Sequence, residues 1–186
     1  MFGLFEKKKD PIYSLTIRVD DIADWQYSQS LKIGAQLAIK NGSLYHKNHL
    51  IGPISPRLLQ YMAHYNLTGA AAVSSLNPFK VDFDLFGAFP DDAPYTPPER
   101  DKEYTYTAYN DTAYPFIVPG RQYPCSLVKS DKGYLVVVNE EPIGEITGDD
   151  KKIATLARLL NKDGCVCDVA MELLDSSAKL RVGVRF

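Results

Sequence analysis

Apolar and polar side chains alternate with a period of two along Tyr13-Ser14-Leu15-Thr16-Ile17-Arg18-Val19, the pattern of a half-buried strand, until Asp20, Asp21 and Asp24 break it. Gly34 to Lys40 reads as a second strand, Asn41-Gly42 as a tight hairpin turn, and Ser43 to Leu50 as the partner strand. Ser55-Pro56 then starts a helix, with the serine oxygen placed to cap free N–H groups and proline at the first helical position. Its apolar stripe is Leu58, Leu59 and Met62, and it should end near Asn66. Gly69 opens the path to two closing strands, Ala70 to Val73 and the alternating set Phe79, Val81, Phe83 and Leu85. Further on, Tyr104 to Ala108 and Tyr123 to Lys129 read as strands, and Asp131-Lys132-Gly133 turns the chain into Tyr134 to Val138. The unbroken apolar run of that last strand predicts burial on both faces. Asp149 and Asp150 suit the positive start of a helix with a core stripe of Ile153, Leu156, Ala157 and Leu160, ended by Lys162-Asp163-Gly164.

This order of elements occurs twice. Leu50-Ile51-Gly52-Pro53-Ile54-Ser55, a helix and Gly69 return as Pro142-Ile143-Gly144-Glu145-Ile146-Thr147, a helix and Gly164. Ala70 to Val73 is answered by Cys165 to Val169, and Phe79, Val81, Phe83 and Leu85 by Leu180, Val182, Val184 and Phe186, with Gly34 and Gly120 heading the first halves. The chain therefore reads as two diverged copies of one small domain, 12–87 and 104–186, separated by a proline-rich extended linker, 88–103. The expected fold class is α+β, mostly β: two tandem small β-barrels or bent sheets, each with one helix inserted before its last two strands.

Composition narrows the function classes. With 45% hydrophobic and 24% charged residues the chain has the make-up of a globular protein. Its net charge of -2 divides as 10 basic against 10 acidic residues through Arg100 and 11 against 13 thereafter, so neither half is a basic nucleic-acid domain. Cys125, Cys165 and Cys167 are too few for a disulfide scaffold and suit a reducing compartment, which makes the cytoplasm the expected location. No segment is long enough to span a bilayer. Met1-Phe2-Gly3-Leu4-Phe5 ahead of Glu6-Lys7-Lys8-Lys9 leaves open a shallow membrane contact or a plain tail.

The run Tyr134-Leu135-Val136-Val137-Val138-Asn139, then Pro142-Ile143-Gly144-Glu145-Ile146, then a helix ending in Leu159-Leu160, resembles the HIRAN domain family. The resemblance spans about residues 104 to 186 and, more faintly through the repeat, 12 to 86. It implies a small β-barrel in which an apolar strand leads through a short turn to an isoleucine-glycine-aromatic step and a helix, and, from the family's best-known members, recognition of single-stranded DNA ends. The family's arginine-glutamate-proline step is replaced here by Ser126-Leu127-Val128-Lys129-Ser130, and Glu145 stands where an aromatic residue is usual.

Candidate contacts are aromatic. Tyr104, Tyr106 and Tyr109 beside Arg121 could stack unpaired bases, but cross-strand packing with wet hydroxyls is the favoured reading, because little phosphate-neutralising charge is clustered there. Trp25 and Tyr27 can anchor a partner or close a barrel mouth. His46 and His49, three apart on one expected strand, should face opposite sides unless a bulge intervenes. The cysteines read as small apolar residues, and no catalytic motif, cofactor motif or metal-ligand spacing is evident. The sequence thus points to a non-enzymatic module with no catalytic residue, cofactor or metal, recognising a protein or peptide through the inter-repeat surface. The alternative is single-stranded DNA end binding of the HIRAN kind, which the net charge disfavours.

Overall fold

A computed structural model describes residues 10–91 and 95–186; the Met1–Phe5 segment and part of the linker lie outside the described residues. The chain divides into two compact units, Met1–Pro90 and Asp91–Phe186. The first contains β1 (Tyr13–Arg18), α1 (Trp25–Gln29), β2 (Gln36–Lys40), β3 (Ser43–His46), β4 (His49–Pro53), α2 (Pro56–His64), β5 (Thr68–Leu76) and β6 (Phe79–Phe86). The second contains β7 (Glu103–Asn110), β8 (Gln122–Lys129), β9 (Gly133–Val138), β10 (Glu141–Thr147), α3 (Asp150–Leu160), β11 (Val166–Leu173) and β12 (Ala178–Arg185).

Both units follow one winding order. The first is a six-stranded sheet, β1-β6-β5-β2-β3-β4, and the second is a closed barrel, β10-β7-β12-β11-β8-β9. With β1 matched to β7 and so on to β6 and β12, the two orders are the same, and only the second closes strand on strand. The fold is thus α+β and mostly β, with a helix before the last two strands of each unit; α1 is an addition to the elements expected from sequence.

The repeated Ile-Gly step explains itself at the seam. In the first unit the pairing of β3 with β4 slips so that Tyr45 faces Leu50 and Leu44 faces Gly52, leaving Ile51 as the extra residue. In the second, Val137 faces Pro142 and Val136 faces Gly144, leaving Ile143 extra. Each bulge bends its strand and directs a buried isoleucine into the core. The glycine that follows takes the close backbone approach. A Cβ on Gly144 would crowd the Leu180 side chain and sit 3.1 Å from the Tyr109 carbonyl on β7, and one on Gly52 would lie 2.7 Å from the Asp21 carbonyl. Ala23 N–H donates to the Ile51 carbonyl at 2.9 Å, so the segment after β1 covers the edge where the second unit closes by strand pairing. Alanine at Gly52 or Gly144 should lower stability by about 2 kcal/mol, measurable as a lower urea midpoint with an unchanged slope.

Other matched positions follow the same logic. Gly34 and Gly120 both have left-handed φ, +87° and +75°, and each donates its N–H to the strand after the helix, at the Val73 and Met171 carbonyls. Asn41-Gly42 forms the expected hairpin turn with φ of 48° and 75°.

Several local expectations are corrected. Ser43 to Leu50 is two strands with a turn at Lys47, whose φ is 55°. Ser55 occupies the cap position of α2 without a side-chain bond, whereas the Asp149 carboxylate accepts from Lys152 N–H at 2.7 Å. Burial along β9 alternates, Tyr134, Val136 and Val138 being buried and Leu135 and Val137 half-buried, because one face lines the barrel and the other its outside. Tyr61 and Leu159 join the buried helical stripes. Gly69 lies within β5 under the Phe83 ring, while Gly164 sits in a left-handed turn after α3.

Candidate functional site

Strand alternation sorts the barrel's residues into two sets. On β12, Leu180, Val182 and Val184 are buried inside, which sends Lys179, Arg181, Gly183 and Arg185 outward. Register then aligns four outward rows across neighbouring strands. Tyr109 (β7), Lys179 (β12) and Glu172 (β11) form one row; Thr107, Arg181, Ala170 and Gln122 (β8) form the next. Thr105, Gly183, Asp168 and Pro124 form the third, and Glu103, Arg185 and Val166 the fourth. Rows repeat every two residues, so the four span about 20 Å of strand.

Residues of the last three rows floor a groove of about 670 Å³, with Tyr95 of the linker and Arg121 also lining it. A second hollow of about 450 Å³ adjoins it and shares Thr105, Ala170 and Arg181. Gly183 keeps the floor low: a Cβ there would lie 2.8 Å from both the Arg185 guanidinium and the Asp168 carboxylate.

Charge within the groove is mostly paired. Arg185 Nη2 donates to Glu103 Oε1 at 2.8 Å, and its Nη1 meets the buried Asp168 carboxylate in an ion pair. Lys179 pairs with Glu172 at 3.4 Å. Arg181 is exposed and has no ion-pair or hydrogen-bond partner among the described residues. The reason is local: its row neighbours Thr107, Ala170 and Gln122 carry no charge. Among the described residues that line the two hollows, Arg121, Lys179, Arg181 and Arg185 stand against Glu103, Asp168 and Glu172, a formal excess of one positive charge.

The corresponding outer face of the first unit has different chemistry. Asp82 and Asp84 project from β6, and each accepts from a hydroxyl on β1, Thr16 at 2.7 Å and Ser14 at 2.6 Å. The cationic groove is a property of the second copy.

The residues singled out from sequence scatter. Arg121 lines the groove, and Tyr109 is exposed on the row bearing Lys179. Tyr106 points into the barrel and is buried, and burial together with the nearby Tyr104 raises its phenol above the ordinary range. Tyr104 lies at the barrel end, stacked on Phe186 with ring centroids 5.8 Å apart. Trp25 and Tyr27 belong to the first unit: Trp25 is half-exposed, and the Tyr27 hydroxyl lies 2.7 Å from His46 Nδ1. The Tyr27 ring stacks on His49 at 3.9 Å. His46 and His49 face each other across the β3–β4 hairpin, so they meet through a turn. Comparison with family models, curated proteins and solved structures finds no match to this chain.

The thiols stand apart from the groove. Cys125 and Cys167 are opposite one another on β8 and β11, on the inward set, and desolvation pushes both from 9.0 up to about 12. That lowers their thiolate fraction about a thousandfold. Both should resist iodoacetamide at mildly alkaline pH in the native protein and react once it is unfolded, as peptide mapping will read. Because the folded values are raised, the unfolded chain ionises first, and stability should fall as pH rises through the window from 9.0 to about 12. Among the described residues, no group of three or more His, Cys, Asp and Glu could hold a metal ion, and no helix is long and apolar enough to cross a membrane.

Arg181, Arg185 and Asp168 had a signal in the sequence. Reading Leu180, Val182 and Val184 as inward fixes Lys179, Arg181 and Arg185 as outward, and Asp168 is the one charge inside the Cys165-to-Val169 apolar run. What sequence lacked was the register that sets these rows side by side.

Proposed function

We propose that the chain is a non-enzymatic cytoplasmic binding module that recognises a protein or peptide, and that the groove on the outside of the second unit's barrel receives an extended segment of that partner. The observation that carries this reading is a groove with mixed polar and apolar lining whose cations are largely neutralised by its own carboxylates. Thr105, Thr107 and Gln122 supply hydrogen-bonding groups, while Ala170 and Tyr95 supply apolar surface. A run of about 20 Å accommodates about six residues of extended peptide. Glu103, Asp168 and Glu172 would repel the successive phosphates of a nucleic acid, which needs several uncompensated cations along its track. Three free thiols suit a reducing compartment.

Panning the full chain against a displayed library of random short peptides tests the proposal. Ala170→Phe fills the groove from the outer face, without touching the barrel interior. The wild type should enrich a family of related sequences, and A170F, with an unchanged circular dichroism spectrum, should not. Equal enrichment by both proteins, or none by either, would contradict the proposal.

A further inference from the structure

We infer that Arg181 is the specificity-determining contact of the groove, and that it selects a single aspartate or glutamate side chain in the middle of an otherwise uncharged peptide. The inference rests on the peptide-binding reading and adds the chemistry of the ligand. Arg185 and Lys179 are committed to carboxylates of the protein itself, whereas Arg181 has no partner among the described residues. A guanidinium presents a planar fork that meets a carboxylate with two parallel N–H···O bonds.

Position and charge set the rest. Arg181 lies where the two hollows meet, so a segment occupying both places its carboxylate partner between its ends. The Arg181 guanidinium carries a charge that no described residue pairs, and one carboxylate neutralises it. A second acidic residue on either side would approach Asp168 and Glu103 in one direction or Glu172 in the other, all fixed in the flanking rows. The groove therefore rewards one acid and penalises a run of them, which separates its ligand from a polyacidic tail as well as from a phosphodiester chain.

The test uses two random-sequence peptide libraries, amidated at the C-terminus and acetylated at the N-terminus, with the central position fixed as glutamate in one and glutamine in the other. They are mixed equally and panned on immobilised full chain, and the retained pools are sequenced. The wild type should retain glutamate-centred peptides about tenfold or more over glutamine-centred ones, with acidic residues depleted at flanking positions. Arg181→Gln should erase that ratio, Arg181→Lys should restore part of it, and Arg181→Glu should favour a lysine-centred library. Arg181 is exposed on the outside of the barrel, so these variants keep the fold, and their circular dichroism spectra check it. Retention of both libraries without preference, or a preference that survives R181Q, overturns the inference while leaving the peptide reading intact. Retention of neither library by the wild type overturns both.

Discussion

Alanine at Gly133 is expected to cost about 3 kcal/mol, at the upper end of what overpacking a closed structure does. Gly133 opens β9 against the end of β10, and an added Cβ would overlap the Ile146 carbonyl oxygen and come within 3.2 Å of the Ile153 side chain on α3. The nearer obstacle is backbone within the barrel wall and cannot swing away as a side-chain end could. Ser130 fixes the same corner, its hydroxyl donating to Glu145 Oε1 at 2.5 Å and accepting from Gly133 N–H at 3.0 Å. Relief would require β9 and β10 to part where Tyr134 pairs with Ile146. Urea unfolding followed by far-ultraviolet circular dichroism gives the size of the loss; an unchanged midpoint would mean that this corner is not packed as described.

Removing the Asp168 carboxylate should be nearly as damaging, for an electrostatic reason. Asp168 is almost wholly buried, and Arg185, only slightly exposed, lies between it and the more exposed Glu103. Asp168→Ala leaves the guanidinium with one partner and an apolar gap on its other side, a change that costs about 3 kcal/mol when the remaining charge stays buried. The double variant Asp168→Ala, Arg185→Met removes the stranded charge and should recover most of the loss, since a packed apolar pair is no worse than a buried ion pair. Urea midpoints for the two single variants and the double variant check this. Failure of the double to recover would place the cost in packing rather than charge.

The fold was legible because it depends on local signals that the chain states twice. The Ile-Gly steps at Ile51-Gly52 and Ile143-Gly144 mark the bulge and close approach at each seam, and the alternating sets Phe79 to Leu85 and Leu180 to Val184 mark the inner faces of the final strands. Places where the sequence reading failed are those where a nonlocal fact decides. His46 and His49 belong to different strands because the turn falls at Lys47, where a left-handed non-glycine residue leaves little trace in the pattern. Ser55 has the residue type of a cap but makes no side-chain bond.

The groove was legible only in part. Arg121 lines it, but the tyrosines are the stronger signal in the sequence, and aromatic enrichment does not say which face of a strand a residue occupies. Tyr104 and Tyr106 share the inner set of β7, where Tyr106 is consumed by the core. The outward partners Thr105 and Thr107 are chemically modest, and they acquire interest only when register sets them beside Arg181 and Gly183. Divergence between the copies is clearest on this face, where aspartates held by Ser14 and Thr16 in the first unit contrast with arginines in the second.

The most direct test of peptide recognition is a paired anisotropy titration of the full chain, at low and at near-physiological salt. One probe is a fluorescein-labelled pool of random short peptides with a central glutamate, the other a labelled single-stranded DNA with a free 3′ end. Peptide recognition predicts saturable binding of the peptide pool with weak salt dependence, lost in A170F, and no saturation with DNA. Saturable DNA binding that falls steeply with salt, with no response from the peptide pool, would contradict it and give the HIRAN resemblance a functional meaning.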